Sequence, residues 1–122
     1  MSLRILAVDD SLTMREMLRV TLCEAGFEVV LAEDGVDALE QLPDVGPDLI
    51  LTDLNMPRMD GFGLIDAVRK GAISARVPIL ILTTESAASL KERARNAGAT
   101  GWITKPFDET SLVSTIRRVA AV

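Results

Sequence analysis

Short apolar runs that each lead into a polar residue constrain the fold of this chain more than any other feature. Runs of four or five residues alternate with longer stretches in which apolar residues recur every three or four positions. Short continuous runs are typical of buried strands, and the longer spacing is typical of amphipathic helices. Strict alternation of the two predicts repeated βαβ units, and therefore an α/β protein with helices on both faces of a parallel sheet.

The pattern predicts five strands, each followed by a helix. The expected strands cover residues 4–8, 27–31, 48–52, 79–82 and 100–104. Right-handed crossovers between them give a doubly wound (βα)5 fold, a flavodoxin-like three-layer sandwich. Two strand orders are compatible with this count. One of them, 2-1-3-4-5, places the first and third strands side by side at the switch point of the sheet.

Capping residues and helix breakers predict where the helices begin and end. Asp34 is expected to cap the second helix, which should end at about Leu42 because Pro43 follows it. Asp108 is expected to cap the last helix. Spacing predicts inward stripes on the first and fourth helices, formed respectively by Met14, Met17, Leu18, Thr21, Leu22 and Ala25, and by Ala87, Leu90, Ala94 and Ala97.

Composition restricts both the number of domains and the kind of chemistry. The 122 residues fit one domain, spanning positions 1–122. A net charge of −5 without a long basic run argues against nucleic-acid binding through phosphate neutralisation. Histidine is absent, which excludes imidazole bases, histidine-ligated zinc and phosphohistidine carriers. Cys23 is the only cysteine, so an internal disulfide is excluded, and we expect a buried or half-buried thiol.

The sequence also predicts a cytoplasmic location. Residues 1–4 lead directly into the first strand without the hydrophobic region of a secretory signal. Apolar runs are far shorter than the roughly 20 residues that a membrane-spanning helix needs. We therefore expect no membrane association.

Four of the apolar runs lead into residues that suit metal or phosphate chemistry. Asp9 and Asp10 follow the first run, Asp53 the third, Thr83 the fourth and Lys105 the fifth. Ligands of open parallel sheets bind beyond the carboxyl ends of the strands, so these side chains should converge there. Adjacent carboxylates repel unless a cation compensates them, and Mg²⁺ prefers carboxylate, water and phosphate oxygens. The three carboxylates, the Thr83 hydroxyl and the Lys105 ammonium group together predict a Mg²⁺-assisted phosphoryl-transfer site.

Each of these residues also has a purely structural interpretation. Asp10 or Ser11 could cap the first helix, and Asp53 could be a turn residue. Lys105 could be a surface lysine at a strand end, and Thr83 a β-branched strand residue. Their common position at strand ends favours the functional interpretation.

Six segments, taken in order, resemble a known family. They are Val-Asp-Asp-Ser at 8–11, Pro-Asp-Leu-Ile-Leu-Thr-Asp-Leu-Asn-Met-Pro at 47–57, Met-Asp-Gly at 59–61, Leu-Thr-Thr-Glu at 82–85, Ala-Gly-Ala at 97–99 and Lys-Pro-Phe at 105–107. The chain resembles the receiver domain of two-component signalling from Ile5 to the last helix, and most resembles stand-alone chemotaxis regulators of the CheY type. The resemblance implies the strand order 2-1-3-4-5. It also implies a switch that catalyses only its own phosphorylation and slow dephosphorylation, and not a conventional enzyme.

The resemblance implies a metal-binding and phosphoacceptor role for four residues. Asp53 would accept a phosphoryl group from a histidine kinase. Asp10, Asp53 and the backbone carbonyl of Asn55 would ligate Mg²⁺, with Asp9 acting mostly through bound water.

The resemblance also implies phosphate-binding and switching residues. Lys105 and Thr83 would bind the phosphoryl oxygens, and Trp102 would swing inward as the Thr83 hydroxyl moves. Glu85 and Asn55 would border the path of the hydrolytic water. Trp102 departs from the tyrosine or phenylalanine of many relatives, which makes a fully inward position harder to fit.

The implied output face is formed by the fourth helix, the fifth strand and the fifth helix. Its basic residues would favour an acidic partner, and they are Lys91, Arg95, Arg117 and Arg118. Ala87 and Ala88 leave the start of the fourth helix uncharged. Contact with a flagellar-motor segment there would therefore depend on apolar residues and on Lys91 and Arg95.

The expected phosphodonor is a chemotaxis-type histidine kinase. The expected target is a flagellar motor switch protein or another downstream protein, unless the chain acts as a phosphate sink. We expect a monomer in either case. We expect a stand-alone regulator and not a transcription factor, because no DNA-binding element follows Val122 in this sequence. Three alternatives remain open: a regulator or relay intermediate outside chemotaxis, a phosphorylation-independent adaptor, and a Mg²⁺-dependent phosphohydrolase. The last is disfavoured because the first strand leads into Asp-Asp-Ser and the chain has no insertion for a substrate cap.

Overall fold

The computed structural model describes residues 2–72 and 74–120, and it confirms the predicted doubly wound α/β fold. Five parallel strands form one sheet in the order β2-β1-β3-β4-β5. The strands are β1 (Arg4–Val8), β2 (Glu28–Ala32), β3 (Leu49–Thr52), β4 (Ile79–Thr83) and β5 (Gly101–Thr104). The helices are α1 (Leu12–Glu24), α2 (Gly35–Val45), α3 (Gly61–Lys70), α4 (Ala88–Ala97) and α5 (Glu109–Ala120).

The register of the central strands aligns the residues that follow them. Val8, the last residue of β1, pairs with Thr52, the last residue of β3. The backbone N–H of Asp53 donates to the carbonyl of Val8 across this pair, at 3.0 Å. Asp9 and Asp53 therefore leave neighbouring strands at the same height, at the switch point where the chain direction of the crossovers reverses.

Two apolar layers cover the sheet, one on each face. Every residue of β3 and β4 is buried, as the continuous apolar runs predict for strands covered on both sides. Alternate strand residues point to opposite faces. One layer packs against α2, α3 and α4, and includes Leu6, Ile50, Ile81, Leu64 and Val68. The other packs against α1 and α5, and includes Ile5, Leu51, Leu80, Leu22 and Ile116.

Side-chain caps fix where four of the helices begin. Ser11, Asp34 and Asp60 each accept a hydrogen bond from a backbone N–H in the first turn of α1, α2 and α3. Asp108 accepts from the backbone N–H of Ser111 at 2.8 Å at the start of α5, as predicted. Helix α4 differs, because within the described residues no side chain caps it at Ala87.

Helix α2 is longer than predicted. It continues through Pro43 to Val45 instead of ending at about Leu42. A proline near the end of a helix removes one backbone hydrogen bond, but its φ is compatible with the helix. Val45 is buried in the core, and Gly46, at φ 54°, donates its backbone N–H to the carbonyl of Leu42 at 3.1 Å. Burial of one more turn and a left-handed glycine cap therefore set the actual end.

Strand boundaries differ from the prediction by single residues. Strand β2 is shifted one residue later, so Phe27 lies buried before it. Strand β4 extends by one residue to Thr83. Strands β3 and β5 begin one residue later than predicted. None of the helices that the structure describes is both long enough and apolar enough to cross a lipid bilayer.

Three predictions of burial are wrong. Met17 is 49% exposed, because the core-facing stripe of α1 runs through Leu18, Thr21 and Leu22, leaving Met17 to one side. Cys23 is exposed for the same reason, one residue beyond the buried Leu22. In α4 only Ala94 is buried, and Ala87 is exposed, because this short helix meets the sheet over a narrow strip.

Candidate functional site

Three carboxylates meet at the carboxyl ends of β1 and β3. One oxygen from each of Asp9, Asp10 and Asp53 lies within 4.8 Å of the others. Asp9 is buried, Asp53 is half-buried and Asp10 is exposed. The carboxylate of Asp9 thus lies inside the protein, whereas that of Asp10 faces solvent, so a cation could reach the cluster from outside. The sequence predicted this convergence from the strand ends, and the structure brings the three together.

Lys105 lies directly across this cluster. Its Nζ donates to Asp9 Oδ2 at 2.7 Å and to Asp53 Oδ2 at 2.9 Å. The side chain is only 11% exposed. Burial would by itself lower the pKa of Lys105, but its hydrogen bonds to Asp53 and Asp9 and their charges outweigh burial and raise the pKa above its ordinary value. The ammonium group therefore stays charged and offsets part of the carboxylate repulsion.

Asp9 uses both of its oxygens within the protein. Oδ1 accepts from the backbone N–H of Ser11 at 2.9 Å, and Oδ2 accepts from Lys105. Ser11 is the N-cap of α1, accepting from Met14, so capping does not account for Asp10. The structural alternative for Asp10 therefore fails, and its carboxylate remains at the rim of the cluster.

The backbone on either side of Asp53 is tightly held. Asp53 Oδ1 accepts from the backbone N–H of Leu54 at 2.6 Å. The buried Thr52 hydroxyl donates to the carbonyl oxygen of Asp53 at 2.8 Å. A Cβ at Gly61 would lie 2.5 Å from that same oxygen, so glycine is required at the start of α3. These contacts orient the Asp53 side chain toward the cluster.

Thr83 ends β4 at the same edge of the sheet and is fully buried. Its hydroxyl accepts from the backbone N–H of Glu85 at 3.4 Å, a long hydrogen bond. The carbonyl of Thr83 accepts from the backbone N–H of Lys105 at 2.7 Å, which ties the ends of β4 and β5 together. The peptide bond between Lys105 and Pro106 is cis.

Glu85 connects the loop after β3, which carries Asn55, to Trp102 on the edge strand β5. Asn55, which is exposed, donates from Nδ2 to Glu85 Oε1 at 3.4 Å. The Nε1 of Trp102, half-buried on β5, donates to the carbonyl of Glu85 at 3.1 Å. Trp102 also lines a groove together with Lys91 and Arg95. Trp102, Lys91 and Arg95 of the predicted output face thus adjoin the predicted site. Arg117 does not lie with them, because its Nη2 donates to the carbonyl of Ala25 at 3.0 Å, on the α1 side of the molecule.

The sequence interpretation did not identify two arginines that act on this region. Arg15 donates from Nη1 to the carbonyl of Asp9 at 2.8 Å. Arg58 forms a two-point ion pair with Asp34, which the sequence suggested only as a helix cap. Arg15 lies on α1 four residues after its cap, which could have suggested a contact back to the strand end. Nothing in the sequence pattern indicates that Arg58 reaches Asp34.

The chemistry of the cluster suits a hard cation. Its donors are carboxylate oxygens, gathered within the span that a single ion would bridge. Mg²⁺ is commonly bound by one or two carboxylates, with water and phosphate oxygens completing its coordination. The residues present therefore fit a magnesium ion, with Lys105 as a second positive charge on the opposite side.

Fold and site together define a class, that of doubly wound α/β proteins with an acidic pocket and a lysine at the carboxyl edge of the sheet. The chain belongs to the response regulator receiver domain family, whose sequence model matches residues 5–117. Receiver domains are parts of two-component phosphorelays and act as signalling switches, not as conventional enzymes. The predicted family is thereby confirmed.

Curated relatives agree with this assignment over part of their length. The response regulator MprA of Mycobacterium ulcerans is 39% identical over 117 residues, which are 96% of this chain and 50% of that protein. MprA of Mycobacterium leprae is 40% identical over 115 residues, again 50% of its length. The chain therefore spans about half the length of the curated relatives it matches.

Solved structures match over the whole chain. The chemotaxis protein CheY4 of Vibrio cholerae is 43% identical, with a TM-score of 0.93, and the match covers 98% of this chain and 99% of that one. The receiver domain of a sensor histidine kinase from Pseudomonas aeruginosa has a magnesium ion coordinated in its active site cleft. It is 27% identical, with a TM-score of 0.91 and full coverage of both chains. The predicted CheY-like fold is confirmed.

Proposed function

We propose that this chain is a phosphorylation-activated switch in which Asp53 accepts a phosphoryl group from a histidine kinase. The observation that carries this proposal is the position of Lys105, whose Nζ bridges Asp9 and Asp53 at 2.7 and 2.9 Å. A buried lysine across a carboxylate cluster supplies positive charge on the side where phosphoryl oxygens would lie. The coverage of CheY4 supports a single receiver domain over residues 1–122.

In this proposal Asp10, Asp53 and the backbone carbonyl of Asn55 hold Mg²⁺. Asp9, which is buried and accepts hydrogen bonds from Ser11 and Lys105, acts mostly through a bound water in this proposal. When bound, the metal neutralises negative charge on the phosphoryl oxygens. The receiver domain from Pseudomonas aeruginosa, with its coordinated magnesium ion, supports this choice of metal.

The proposed transfer requires little covalent chemistry from the protein. The phosphorus–nitrogen bond of the kinase phosphohistidine breaks as an Asp53 oxygen bonds to phosphorus, and the leaving imidazole takes a proton from solvent. Lys105 and the Thr83 hydroxyl donate to the phosphoryl oxygens, and the rate comes from positioning and charge neutralisation. Slow loss of the group follows when water attacks phosphorus and the Asp53 carboxylate leaves. Asn55 and Glu85 border the path of that water.

The structure supports a route from the site to the output face. Phosphorylation adds a charge of about −1.5 to −2. Thr83 is held to Glu85 only by a long hydrogen bond, and the carbonyl of Glu85 holds the indole of Trp102. A move of the Thr83 hydroxyl toward the phosphate would therefore release Glu85 and allow Trp102 to change position. This would alter the face formed by α4, β5 and α5, which carries Lys91 and Arg95.

We propose that the chain acts in a chemotaxis pathway, either by binding a flagellar motor switch protein through its basic output face or as a phosphate sink that drains phosphoryl groups from a shared kinase. The similarity to CheY4 over the whole chain supports chemotaxis. The similarity to MprA over half of that protein supports the alternative of a regulator outside chemotaxis.

Phosphorylation can be tested with acetyl phosphate as the phosphodonor. We expect wild-type protein with Mg²⁺ to gain the mass of one phosphoryl group by intact-mass spectrometry, because the three carboxylates and Lys105 lie together at one site. Asp53→Asn should gain none, and chelation of the metal should prevent the gain in wild type. Asp48→Asn, a matched change at an exposed aspartate at the opposite end of β3, should behave as wild type. An unmodified wild type under saturating phosphodonor would contradict the proposal.

The chemotaxis assignment can be tested by affinity capture. With Mg²⁺ and beryllofluoride as the phosphoryl mimic, we expect the wild-type chain to retain purified motor switch protein, and Asp53→Asn to retain none under the same conditions. Lys91→Ala should weaken the capture, because it removes positive charge from the output face. Equal retention with and without beryllofluoride would contradict the switch, and no retention would favour the phosphate sink or the pathway outside chemotaxis.

A further inference from the structure

An ion pair outside the carboxylate cluster ties the loop after β3 to a neighbouring part of the fold. This loop covers residues 53–60 and contains both Asp53 and Asn55. Arg58 donates from Nε to Asp34 Oδ2 at 2.7 Å and from Nη2 to Asp34 Oδ1 at 3.0 Å. Two parallel bonds of this kind fix orientation as well as distance. The far end of the loop is therefore attached to the start of α2, which is a separate crossover of the chain.

The backbone at Arg58 is in a conformation that an arginine adopts only at a cost. Its φ is 62°, in the left-handed region, where a Cβ approaches the following carbonyl oxygen. Glycine adopts this conformation freely. An arginine here keeps the strained backbone while its guanidinium reaches Asp34, so the side chain contributes something that glycine could not.

Asp34 is an unusually well fixed partner. Its side chain is 3% exposed and also caps α2, accepting from the backbone N–H of Asp37 at 2.9 Å. The hydrogen bond from Arg58 is the main reason that the pKa of Asp34 lies below its ordinary value, and the bond from Asp37 adds to it. A carboxylate this buried needs its charge compensated. Arg58 is the cation that compensates it.

The backbones on the two sides of the ion pair also approach closely. The N–H of Gly35 donates to the carbonyl of Met59 at 3.2 Å. A Cβ at Gly35 would lie 2.7 Å from Met59 Cγ, so the contact depends on glycine. The attachment thus consists of an ion pair and a backbone hydrogen bond, one residue apart on each chain segment.

We infer that Arg58 is a positioning residue, whose bond to Asp34 holds the loop in the shape that places the Asn55 carbonyl and Asp53 around one metal ion. At its other end the loop is already fixed, since the N–H of Asp53 donates to Val8. With both ends held, Asn55 between them has few alternative positions. Without the ion pair, the hydrogen bond from Gly35 to Met59 still attaches this end of the loop but fixes its orientation less well. Metal binding must then order the loop further, which weakens the apparent affinity. This inference rests on the Mg²⁺ site of the proposed function.

Isothermal titration of the phosphate-free protein with Mg²⁺ tests the inference without any activity measurement. We expect Arg58→Gly to bind Mg²⁺ about tenfold more weakly than wild type, in the range for lost outer partners of a metal ligand. Its melting temperature should fall, because the buried Asp34 carboxylate loses its compensating cation and relief of the strained backbone offsets only part of that loss. The titration is therefore run well below the melting temperature of the variant. Arg58→Lys should fall between the two, since lysine keeps the charge but not the two parallel bonds.

Two further variants separate the ion pair from general effects. Asp34→Asn retains an oxygen to cap α2 but loses the charge, and should weaken Mg²⁺ binding as Arg58→Gly does. The double variant should bind no more weakly than either single variant, because both remove the same interaction. Arg76→Gly is the matched control, since it removes the same charge from an exposed residue in the α3–β4 connection at the opposite edge of the sheet.

The outcomes distinguish this inference from the proposed function. If wild type binds Mg²⁺ and Arg58→Gly binds it equally well, the inference is overturned and the proposed function stands. If Arg58→Gly and Arg76→Gly lose affinity equally, the effect is one of net charge and the inference is likewise overturned. If wild type binds no Mg²⁺, the proposed function fails, and the inference with it.

Discussion

At the scale of single residues, the central feature is that Lys105 compensates two carboxylates at once. Asp9 is almost completely buried, and Asp53 lies beside it on the neighbouring strand. Two like charges at this separation are unfavourable unless a cation lies between or across them. In the protein without metal, the Lys105 ammonium is the cation that contacts both. In the proposed function, stability and phosphate binding would therefore depend on the same side chain.

Lys105→Met should accordingly destabilise the metal-free protein. We expect a loss of about 1.5–3 kcal/mol at pH 7, the range for hydrogen bonds to charged groups. Because folding raises the pKa of Lys105, its stabilising effect is fully present below the ordinary lysine pKa of about 10.4 and is lost as pH rises through the higher folded value. The difference from wild type should therefore shrink at strongly alkaline pH.

Urea unfolding with a chelator present measures this difference at each pH. Lys91→Met, at an exposed position of α4, serves as the control and should be within experimental error of wild type. Equal stability of Lys105→Met and wild type at pH 7 would show that Lys105 does not compensate the cluster. A difference that persisted unchanged above the folded pKa would show that the lost interaction is not the charge.

The strand pattern alone predicts the positions of some site residues and not of others. Asp9, Asp53 and Lys105 each come directly after a strand, so parallel topology alone brings them to one edge. The ion pair between Arg58 and Asp34 could not be predicted in this way, because it depends on a left-handed backbone and on side-chain reach across two loops. The roles of the site residues remain predictions.

At the scale of secondary structure, the existence and order of all ten elements could be predicted, while several ends could not. Period and capping residues identify each helix, but burial decides the last turn. Helix α2 continues through Pro43 because this buries Val45 in the core, and Gly46 then ends the helix. Met17 shows the same limit for a helix face, since a spacing of three or four residues does not say which edge of the stripe meets the sheet.

Helix α4 is held more firmly at its end than at its beginning. The Arg69 guanidinium donates from Nε and Nη2 to the carbonyl of Gly98, at 3.0 and 2.8 Å, and from Nη1 to Val77 at 2.6 Å. Burial lowers the pKa of Arg69. The first turn follows Ala87, where no described side chain forms a cap. Within the described residues, the end of α4 nearest Thr83 and Glu85 thus has fewer side-chain hydrogen bonds than its last turn.

At the scale of the whole molecule, the candidate site lies at only one edge of the sheet, where the strands have their carboxyl ends. The strands are parallel, so each helix leads the chain back to the amino edge of the sheet. The residues that follow the strands lie at the carboxyl edge, where the acids after β1 and β3 contact the lysine after β5. The surface that carries Trp102, Lys91 and Arg95 adjoins that edge through the hydrogen bond from Trp102 to the carbonyl of Glu85. In the proposed switch, a change of charge at Asp53 would therefore alter a surface built from a different part of the chain.

A crystal structure of the protein with Mg²⁺ and beryllofluoride tests the central claim most directly. We predict one magnesium ion held by the carboxylates of Asp10 and Asp53 and by the carbonyl of Asn55. The beryllofluoride should be bonded to Asp53 and should accept hydrogen bonds from Lys105 and Thr83. A metal bound away from Asp53, or beryllofluoride attached to another carboxylate, would contradict the account.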